Sequence, residues 1–413
     1  MASLDFGEPR FWYGVEVQAT QAPDGRILVA GKNLITGNNL LLRFLPNGRN
    51  DRSFGSNGIL SIKSVEGTPF DLAGLAIDSQ GRIIAAGTAA ASIETQPSKG
   101  NRAAVLRLMP SGAPDPTFGG GDGAIVTDFE LQAQPNKSEC GSFCPSLSVS
   151  GVAVDSAERI VVSGSVLRAR FYCNESGAYV GRLDPQGNID PNFGSGGTTT
   201  YEPSSMHSAE GLVLDELGAP LFFGWDGYCH GGPDFNPILV NRLDVNGSPD
   251  LSFGQSGQVV TNDFLQKMAL DSSGRIVVLE GVNVRRLLPS GALDSSFARG
   301  GRTRIPLGGT QSGISDLGLT KRDGVVVVGT QVHDFHRPEP RRRLVVARLS
   351  PQGLFDKHFG NGGFARIRFG RPSNTVGRKI MLDDKGHAIV VGMVRNQRLA
   401  TGEGLALYRV DLR

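Results

Sequence analysis

Apolar residues in this chain come in short clusters that recur along its length, each preceded by a polar turn and closed by a glycine. The cluster Arg82–Gly87, for example, follows the turn Asp78–Gly81 and is apolar at four successive positions. Short apolar runs bounded by turn residues predict strands that are buried on both faces. The pattern therefore predicts many short strands rather than a bundle of helices.

The clusters belong to a longer repeated phrase, in which Arg-Leu-x-Pro-x-Gly is followed by Asp-x-x-Phe-Gly. The seven arginines are Arg43, Arg107, Arg182, Arg242, Arg286, Arg348 and Arg409. In six copies an aspartate follows eight residues later and a phenylalanine three residues after that: Asp51/Phe54, Asp115/Phe118, Asp190/Phe193, Asp250/Phe253, Asp294/Phe297 and Asp356/Phe359. The glycines that close the clusters are taken as Gly31, Gly87, Gly164, Gly224, Gly281, Gly329 and Gly392. This spacing identifies seven internal repeats of about 60 residues.

The repeats are circularly periodic. The seventh copy ends at Arg409 without its aspartate and phenylalanine, and these are found at the other end of the chain as Asp5 and Phe6. Joining the first six residues to the last copy gives a unit of ordinary length. Such a sequence is expected for a closed ring, whereas an open solenoid carries capping repeats at its ends.

The phrase resembles the bacterial delta-60 repeat over essentially the whole chain. Three departures are visible: Glu158 stands for a turn glycine, Ala298 follows Phe297 in place of glycine, and Asp5 and Phe6 lack the two residues between them. The resemblance implies a β-propeller and implies little about activity.

We predict an all-β fold, with residues 1–413 forming a single seven-bladed β-propeller domain of four-stranded blades. In the second unit the strands A to D are expected near Ala73–Asp78, Arg82–Gly87, Ala103–Met109 and Ala124–Asp128. The A–B turn glycines are taken as Gly25, Gly81, Gly218, Gly274, Gly324 and Gly386.

Each Arg/Asp pair is expected to make a charge-assisted hydrogen bond and each Phe to fill the space between blades. The ring would close by pairing an N-terminal strand near Phe11–Tyr13 with the C-terminal strand Leu405–Val410, which protects both edges.

Composition agrees with this class and limits the partners. Glycine accounts for 57 of 413 residues and hydrophobic residues for only 39%, and glycine is costly inside helices. No apolar run approaches the roughly 18 residues of a membrane span. The 42 basic and 40 acidic residues leave a formal charge of +2, which gives no reason to expect nucleic acid or an anionic membrane as a partner. We expect a monomer.

The four cysteines indicate where the protein resides. Cys140, Cys144, Cys173 and Cys229 lie within one third of the chain, in polar and glycine-rich segments. An even, clustered number suits disulfides in an exported protein, with Cys173–Cys229 joining adjacent blades and Cys140–Cys144 closing a local ring. We therefore expect an extracytoplasmic location, with a signal peptide removed ahead of this sequence. Reduced thiols in a cytosolic protein are the alternative.

Antiparallel order places the short A–B and C–D turns on one face of the ring and the long B–C and D–A connections on the other, here called the variable face. Sites on rigid scaffolds usually lie on such loops. The candidate ligand-binding residues are Trp225, Asp226, Tyr228 and His230 in unit four, and His333, His336 and Arg337 in unit six. Aromatic rings with polar neighbours suit stacking on sugars. The alternatives are a loop folded on its own aromatic residue and a solvated basic loop. No third ligand accompanies the two histidines at a diagnostic spacing, so no metal is predicted, and no cofactor motif is present.

The residues eight positions before each A–B turn are expected to ring the mouth of the central channel. They are Val17, Ala73, Ser150, Glu210, Gln266, Asp316 and Arg378. Carboxylates close to an arginine can perform acid–base chemistry, so Glu210, Asp316 and Arg378, together with His333, are the candidate catalytic residues. A hydrated channel lining is the alternative.

Three functions remain open at this point. The leading one is an exported module that binds a glycan or protein through the variable face. The others are a polysaccharide lyase or glycoside hydrolase with its site at the channel mouth, and a structural module of a cell-surface assembly. Unit five has almost no B–C loop and stands between units with long ones, so an open-sided cleft is expected there. Ligand binding is expected on the variable face above units three, four and six, near the channel mouth.

Overall fold

The computed structural model describes residues 17–33, 36–90, 100–129, 146–170, 173–201, 206–225, 238–261, 264–309, 312–333, 341–367, 374–395 and 403–412. Within these ranges the chain forms 28 strands and one short 3₁₀-helix, Gly119–Gly121. No helix in them is long and apolar enough to cross a membrane. The protein is a seven-bladed β-propeller, as the repeats predict.

The strands of blades one to four are β1–β4 at Gln18–Gln21, Ile27–Lys32, Asn39–Phe44 and Ile59–Ile62; β5–β9 at Ser64–Val65, Thr68–Ile77, Ile83–Ala89, Arg102–Leu108 and Ala124–Thr127; β10–β13 at Ser146–Val154, Ile160–Arg170, Cys173–Leu183 and Thr198–Tyr201; and β14–β17 at Glu210–Leu214, Pro220–Trp225, Ile238–Arg242 and Gln258–Thr261. Those of blades five to seven are β18–β21 at Leu265–Leu270, Ile276–Glu280, Asn283–Leu287 and Arg302–Arg304; β22–β25 at Gly313–Leu319, Val325–His333, Arg341–Leu349 and Phe364–Ile367; and β26–β28 at Asn374–Leu382, His387–Arg395 and Glu403–Asp411.

Each blade is an antiparallel sheet whose strands follow one another in chain order. The short β5 pairs only with the start of β6, and one parallel contact between Arg342 and Asn374 joins blades six and seven. Three strands of blade seven lie in the described ranges. The fourth, expected near Phe11–Tyr13, lies outside them, so this way of closing the ring stays a prediction.

The second and third strands of a blade are buried on both faces because every blade packs between two others. In blade five, Val277 and Leu279 pack against blade six, whereas Val278 between them packs against blade four. The first strands contact one another in the order β1, β6, β10, β14, β18, β22 and β26. The circle is completed by β26 against β1, and Val391 of blade seven shares a core with Val29 of blade one.

The repeated Arg, Asp and Phe form a clamp between neighbouring blades. In blade two, Arg107 Nε donates to Asp115 Oδ2 at 2.7 Å, and Nη1 donates to the carbonyl oxygen of Pro185 in the next blade. The guanidinium carbon lies 4.6 Å from the centroid of the Phe118 ring, which is fully buried. A Cβ on Gly187 of blade three would come within 2.8 Å of that ring, so the ring requires glycine there.

The contact from the clamp arginine to a carbonyl oxygen of the next blade recurs at six blade boundaries. The arginines reach these carbonyl oxygens of the following blade: Arg43 to Pro110, Arg107 to Pro185, Arg182 to Val245, Arg242 to Pro289, Arg286 to Pro351 and Arg348 to Leu412. The motif is therefore architectural, since its side chains join each blade to the next.

Hydrogen bonds keep the clamp aspartates ionised. Burial alone would raise the pKa of Asp115, but the N–H and hydroxyl of Thr117 and the guanidinium of Arg107 outweigh burial and hold that pKa below its ordinary value. The pKa values of four other clamp aspartates are lowered by the same balance: Asp51, Asp190, Asp250 and Asp294.

Candidate functional site

The A–B turns define a common frame for the seven blades, because each contains one residue with positive φ. It is glycine in five blades: Gly25, Gly81, Gly218, Gly274 and Gly386. In blade three it is Glu158, with φ of 63°, and in blade six it is Asp323, with φ of 60°. Asp323, and not Gly324, is therefore the turn residue of blade six. Equivalent positions in that blade are counted from Asp323, so each lies one residue earlier than a count from Gly324 gives.

The first strand of each blade from two to seven carries a β-bulge at the position where the residues counted from the turn are expected. In five of these blades a single residue is left unpaired with the second strand: Ala73, Ser150, Gln266, Ser315 and Arg378. In blade six that residue is Ser315, which lies eight positions before the turn residue Asp323, as the unpaired residues of the other four blades lie before theirs. Asp316 is buried instead, and its Oδ2 accepts a hydrogen bond of 2.9 Å from the Ile380 N–H of blade seven.

The other candidate catalytic residues are spread over three blades. Glu210 is half-buried and accepts a hydrogen bond of 3.2 Å from the Ser208 hydroxyl, and Arg378 is exposed at the bulge of blade seven. His333 ends β23 opposite Arg341. In the described part of the chain no hydrogen bond or ion pair joins Glu210, Arg378 and His333.

Trp225 lies at the variable-face end of blade four. It is the last residue of β15, it is half-buried, and its ring meets the Phe264 ring edge-on at a centroid distance of 5.1 Å and an angle of 62°. Phe264, in the connection to blade five, is 53% exposed. Phe264 cannot be recognised from sequence, because a single aromatic residue in a loop has no spacing that distinguishes it.

Several predicted residues lie outside the described ranges: Asp226, Tyr228, His230, His336 and Arg337 among the ligand candidates, and Cys140, Cys144 and Cys229 among the cysteines. Cys173 is the first residue of β12, and its backbone is paired with Arg170 at the tip of the blade-three hairpin. Within the described ranges, His, Cys, Asp and Glu residues form no group of three or more that could hold a metal ion.

Blade five has a low wall on the variable face. Its second and third strands, β19 and β20, have five residues each and are joined by Gly281 and Val282 alone. In blade six the corresponding strands, β23 and β24, have nine residues each, and in blade four residues 226–237 separate β15 from β16. We call the space above the short hairpin the blade-five gap.

Blade five also departs from the repeat at one buried position. Six residues after the turn, six blades have glycine: Gly31, Gly87, Gly164, Gly224, Gly329 and Gly392. A Cβ on Gly87 would lie 2.1 Å from the Asp71 carbonyl oxygen of the first strand. Blade five has Glu280 at this position, and Gly281 follows one residue later. The glutamate is apparent when positions are counted from the turn residue Gly274, but it is hidden when the repeats are aligned on their closing glycines.

Glu280 is the centre of an ionic cluster that faces blade four. Its side chain is 1% exposed, and its carboxylate contacts Arg285 and lies 2.8 Å from Nη2 of Arg302. Arg285 in turn donates to the Thr261 hydroxyl of blade four at 2.6 Å. Thr261 is paired with Ile238, which is paired with Trp225. The ionic cluster and the aromatic pair therefore lie at one level of the same blade boundary.

This arrangement suits binding. Exposed aromatic carbon, guanidinium groups and an open-sided wall supply stacking and hydrogen-bond donors to a bound molecule.

The fold and this gap together define a β-propeller with a candidate ligand site on its variable face. Two segments of the chain, residues 22–54 and 79–118, match the model of a family described as a domain of unknown function (DUF5122) beta-propeller. Each matching segment ends on a clamp phenylalanine, Phe54 or Phe118, so the family model covers the same repeated phrase.

Comparison with curated proteins finds no match. Among solved structures, PorZ, a surface component of the type-IX secretion system of Porphyromonas gingivalis, is similar over 95% of this chain at 12% identity and a TM-score of 0.48, and the chain spans 46% of its length. An α-L-arabinanase of Penicillium chrysogenum complexed with arabinobiose matches 100% of this chain and 99% of its own at 11% identity and a TM-score of 0.45. The α-L-arabinofuranosidase of Fusarium graminearum matches 98% and 96% at 8% identity and a TM-score of 0.44. These similarities transfer no activity to this chain.

Proposed function

We propose that the chain is an exported module that binds a carbohydrate in the blade-five gap of the variable face. The observation that carries the proposal is the Trp225–Phe264 pair, half open to solvent, beside the short hairpin of blade five. The apolar face of a sugar stacked on such a ring contributes on the order of 1–2 kcal/mol. Sugar hydroxyls bind well to guanidinium donors such as those beside this pair.

One catalytic candidate is not available for acid–base chemistry. Asp316 is buried, and its Oδ2 accepts a hydrogen bond from the Ile380 N–H of blade seven. We therefore put binding ahead of hydrolysis or lyase chemistry, which needs groups within hydrogen-bond reach of one reacting centre.

The test is binding to a glycan array, followed by titration calorimetry on any saccharide that binds. Trp225→Ala and Phe264→Ala should each weaken affinity about tenfold while leaving the melting temperature close to wild type. Leu251→Ala, which removes a side chain 75% exposed on the opposite face, is the control and should leave affinity unchanged. Unchanged affinity in both aromatic variants, or capture of protein ligands alone, would contradict the proposal.

We propose further that the chain is one domain and a monomer, that its repeats are delta-60 repeats, and that it works outside the cytoplasm with the Cys173–Cys229 and Cys140–Cys144 disulfides formed. The support is the spacing of the cysteines and of the repeated phrase.

A further inference from the structure

The A–B turns lie on the face opposite the variable face, here called the turn face, and five of them begin with an aspartate. These are Asp78, Asp155, Asp215, Asp271 and Asp383. In blade two, Asp78 Oδ1 accepts hydrogen bonds from the backbone N–H groups of Gln80 and Arg82, and Oδ2 accepts one of 2.6 Å from Arg82 Nε. The aspartate therefore holds both the turn and the arginine that ends it.

Blade one lacks this aspartate, because Ala22 stands in its place while the arginine is kept as Arg26. Arg26 Nη1 contacts the exposed Asp24. Its Nε is buried and lies 3.0 Å from Asp51 Oδ2 without the geometry of a hydrogen bond, and Asp51 already accepts a hydrogen bond from Arg43. Among the contacts of the described residues, none involves Arg26 Nη2.

The boundary between blades two and three shows what the equivalent arginine binds there. Glu158, the turn residue of blade three, accepts a hydrogen bond from the Ser79 hydroxyl and lies 3.3 Å from Arg82 Nη2. At the boundary between blades five and six, Asp323 accepts hydrogen bonds from Ser272 in the same way. A carboxylate of one blade thus binds donors on the turn of the blade before it.

Between blades one and two, a cavity of about 150 Å³ takes the place of this carboxylate. Its lining includes the counterparts of Ser79, Arg82 and Glu158, which are Pro23, Arg26 and Gly81. All residues of the A–B and C–D turns of blades one and two lie within 17–33, 36–90 and 100–129. The turns around the cavity are therefore described in full.

The cavity has room for a small molecule with an apolar part. A Cβ added to Gly81 would meet only Pro110 Cγ, at 3.8 Å. Leu28, Ile77 and Ile83 supply apolar carbon to the walls. A cavity of about this volume holds roughly six non-hydrogen atoms.

We infer that this cavity binds a short aliphatic monocarboxylate, whose oxygens accept hydrogen bonds from Arg26 Nη2 while its alkyl part packs on Ile77 and Ile83. Propionate has the atoms of a glutamate side chain beyond Cα, so it reproduces the group that Glu158 places at the next boundary. Hydrogen bonds between guanidinium and carboxylate are charge-assisted and strong. Phosphate fits less well, because its additional oxygens would face apolar carbon without donors.

The contact with Asp24 leaves Arg26 able to bind a second carboxylate. Arg82 binds two at once, Asp78 at Nε and Glu158 at Nη2. The site lies on the turn face, so it is separate from the blade-five gap and does not depend on the proposed carbohydrate binding.

The test is a titration with sodium propionate, followed by ligand-observed NMR, with propionamide as the uncharged molecule of the same shape. Propionate should bind at least tenfold more tightly than propionamide, and it should raise the melting temperature because it binds the folded state. Inorganic phosphate at the same ionic strength should do neither. Equal binding of the acid and the amide, or tighter binding of phosphate, would overturn the inference.

Two variants test the residues of the cavity. Arg26→Gln should weaken propionate at least tenfold and leave propionamide unchanged. Arg159→Gln, the same substitution in blade three, where Asp155 binds the arginine at 2.6 Å, is the matched control and should leave the affinity for propionate unchanged. Gly81→Glu should abolish propionate binding by filling the cavity, and it should melt at a higher temperature than Gly81→Gln, which has the same size without the charge. Unchanged binding in Arg26→Gln and Gly81→Glu would contradict the inference, whatever saccharide the variable face binds.

Glu158→Gly makes the boundary between blades two and three resemble the boundary between blades one and two. Its melting temperature should fall, and propionate, unlike propionamide, should restore part of the loss, because the free carboxylate takes the place of the missing side chain. Recovery in this variant without propionate binding by the wild type would show that the cavity of blade one is not a site, and the inference would be wrong.

Discussion

Two carboxylates occupy turn positions where other blades have glycine, and both use the position to hold a neighbour. Glu158 accepts a hydrogen bond from the Ser79 hydroxyl of blade two and contacts Arg82 at 3.3 Å. Asp323 accepts hydrogen bonds from the N–H and hydroxyl of Ser272 in blade five, at 2.9 and 2.6 Å. A side chain with positive φ costs about 1–2 kcal/mol, and hydrogen bonds to a charged group contribute about 1.5–3 kcal/mol each. Contact with the adjacent blade thus offsets the strained conformation.

The clamp makes a sharp prediction for single residues. Phe118→Ala should lower the free energy of unfolding by about 3–5 kcal/mol, because it opens a cavity between blades two and three. Arg107→Ala should also lower it, though by less, since Asp115 loses its closest guanidinium and keeps Arg82 at 3.5 Å and the hydrogen bonds from Thr117. Denaturant unfolding measures both.

Arg49→Ala, at an exposed position of a neighbouring turn, is the control and should change stability by less than about 0.5 kcal/mol. Near-wild-type stability of the Phe118 variant would show that the ring does not hold the blades together.

At the scale of strands, the boundary between blades seven and one has the parts of a clamp. Five of the other boundaries place a phenylalanine ring against a turn glycine of the following blade, as Phe54 does with Gly112. Between blades seven and one a cavity of about 210 Å³ is lined by Pro46 and Gly48 of blade one and by Arg409 of blade seven. These residues correspond to the carbonyl, the glycine and the arginine of those five boundaries.

We therefore expect Phe6 to fill this cavity and Asp5 to bind Arg409, so that the N-terminal segment closes the ring. Phe6→Ala should lower the melting temperature by several degrees, as truncation of any other clamp phenylalanine would. Removal of residues 1–13 should lower it further, because the last strand of blade seven would lose its partner.

Ser3→Ala serves as the control in the same segment. A truncated chain with the melting temperature of the full chain would contradict this mode of closure.

The strands and the clamp could be predicted from sequence because their residues recur at fixed spacing, and repetition reveals what a single copy cannot. The deviations could not. Gly324 resembles a turn glycine, but the positive φ belongs to Asp323, so Asp316 is not the residue of blade six that corresponds to the other channel candidates. A glycine directly after Glu280 hides the glutamate in the repeat, and only the contact with Trp225 distinguishes Phe264. Binding residues in a repeat protein are those that break the pattern, so the periodicity that identifies the fold carries little information about them.

At the scale of the whole molecule, five clamp aspartates respond to pH in the same direction. The pKa values of Asp51, Asp115, Asp190, Asp250 and Asp294 are lowered in the folded protein. A group with a depressed folded pKa contributes stability above its unfolded pKa, about 3.9 for aspartate, and loses it as pH falls through the folded value. All five groups therefore act in the same direction.

The melting temperature should be nearly constant from pH 8 to about pH 5 and should fall steeply below about pH 4. Calorimetric melting across this range, at constant ionic strength, measures the effect. The Asp115→Asn variant has one clamp aspartate fewer to protonate. Its melting temperature should therefore be lower than that of the wild type at pH 7 and should fall less on acidification. A parallel loss in the variant and the wild type would show that the clamps do not cause the acid sensitivity.

The clamp always points forward along the chain, with an arginine of one blade holding a carbonyl of the next. A gene for such a chain can gain or lose one unit by recombination between copies, and every new junction already has complementary surfaces. The number of blades is then limited by how many inner strands fit around the channel rather than by the match between neighbours. In the described ranges, the contact of a turn carboxylate with a serine of the preceding blade is found at two boundaries, as Glu158 with Ser79 and Asp323 with Ser272, and contacts of this kind distinguish those boundaries from the others.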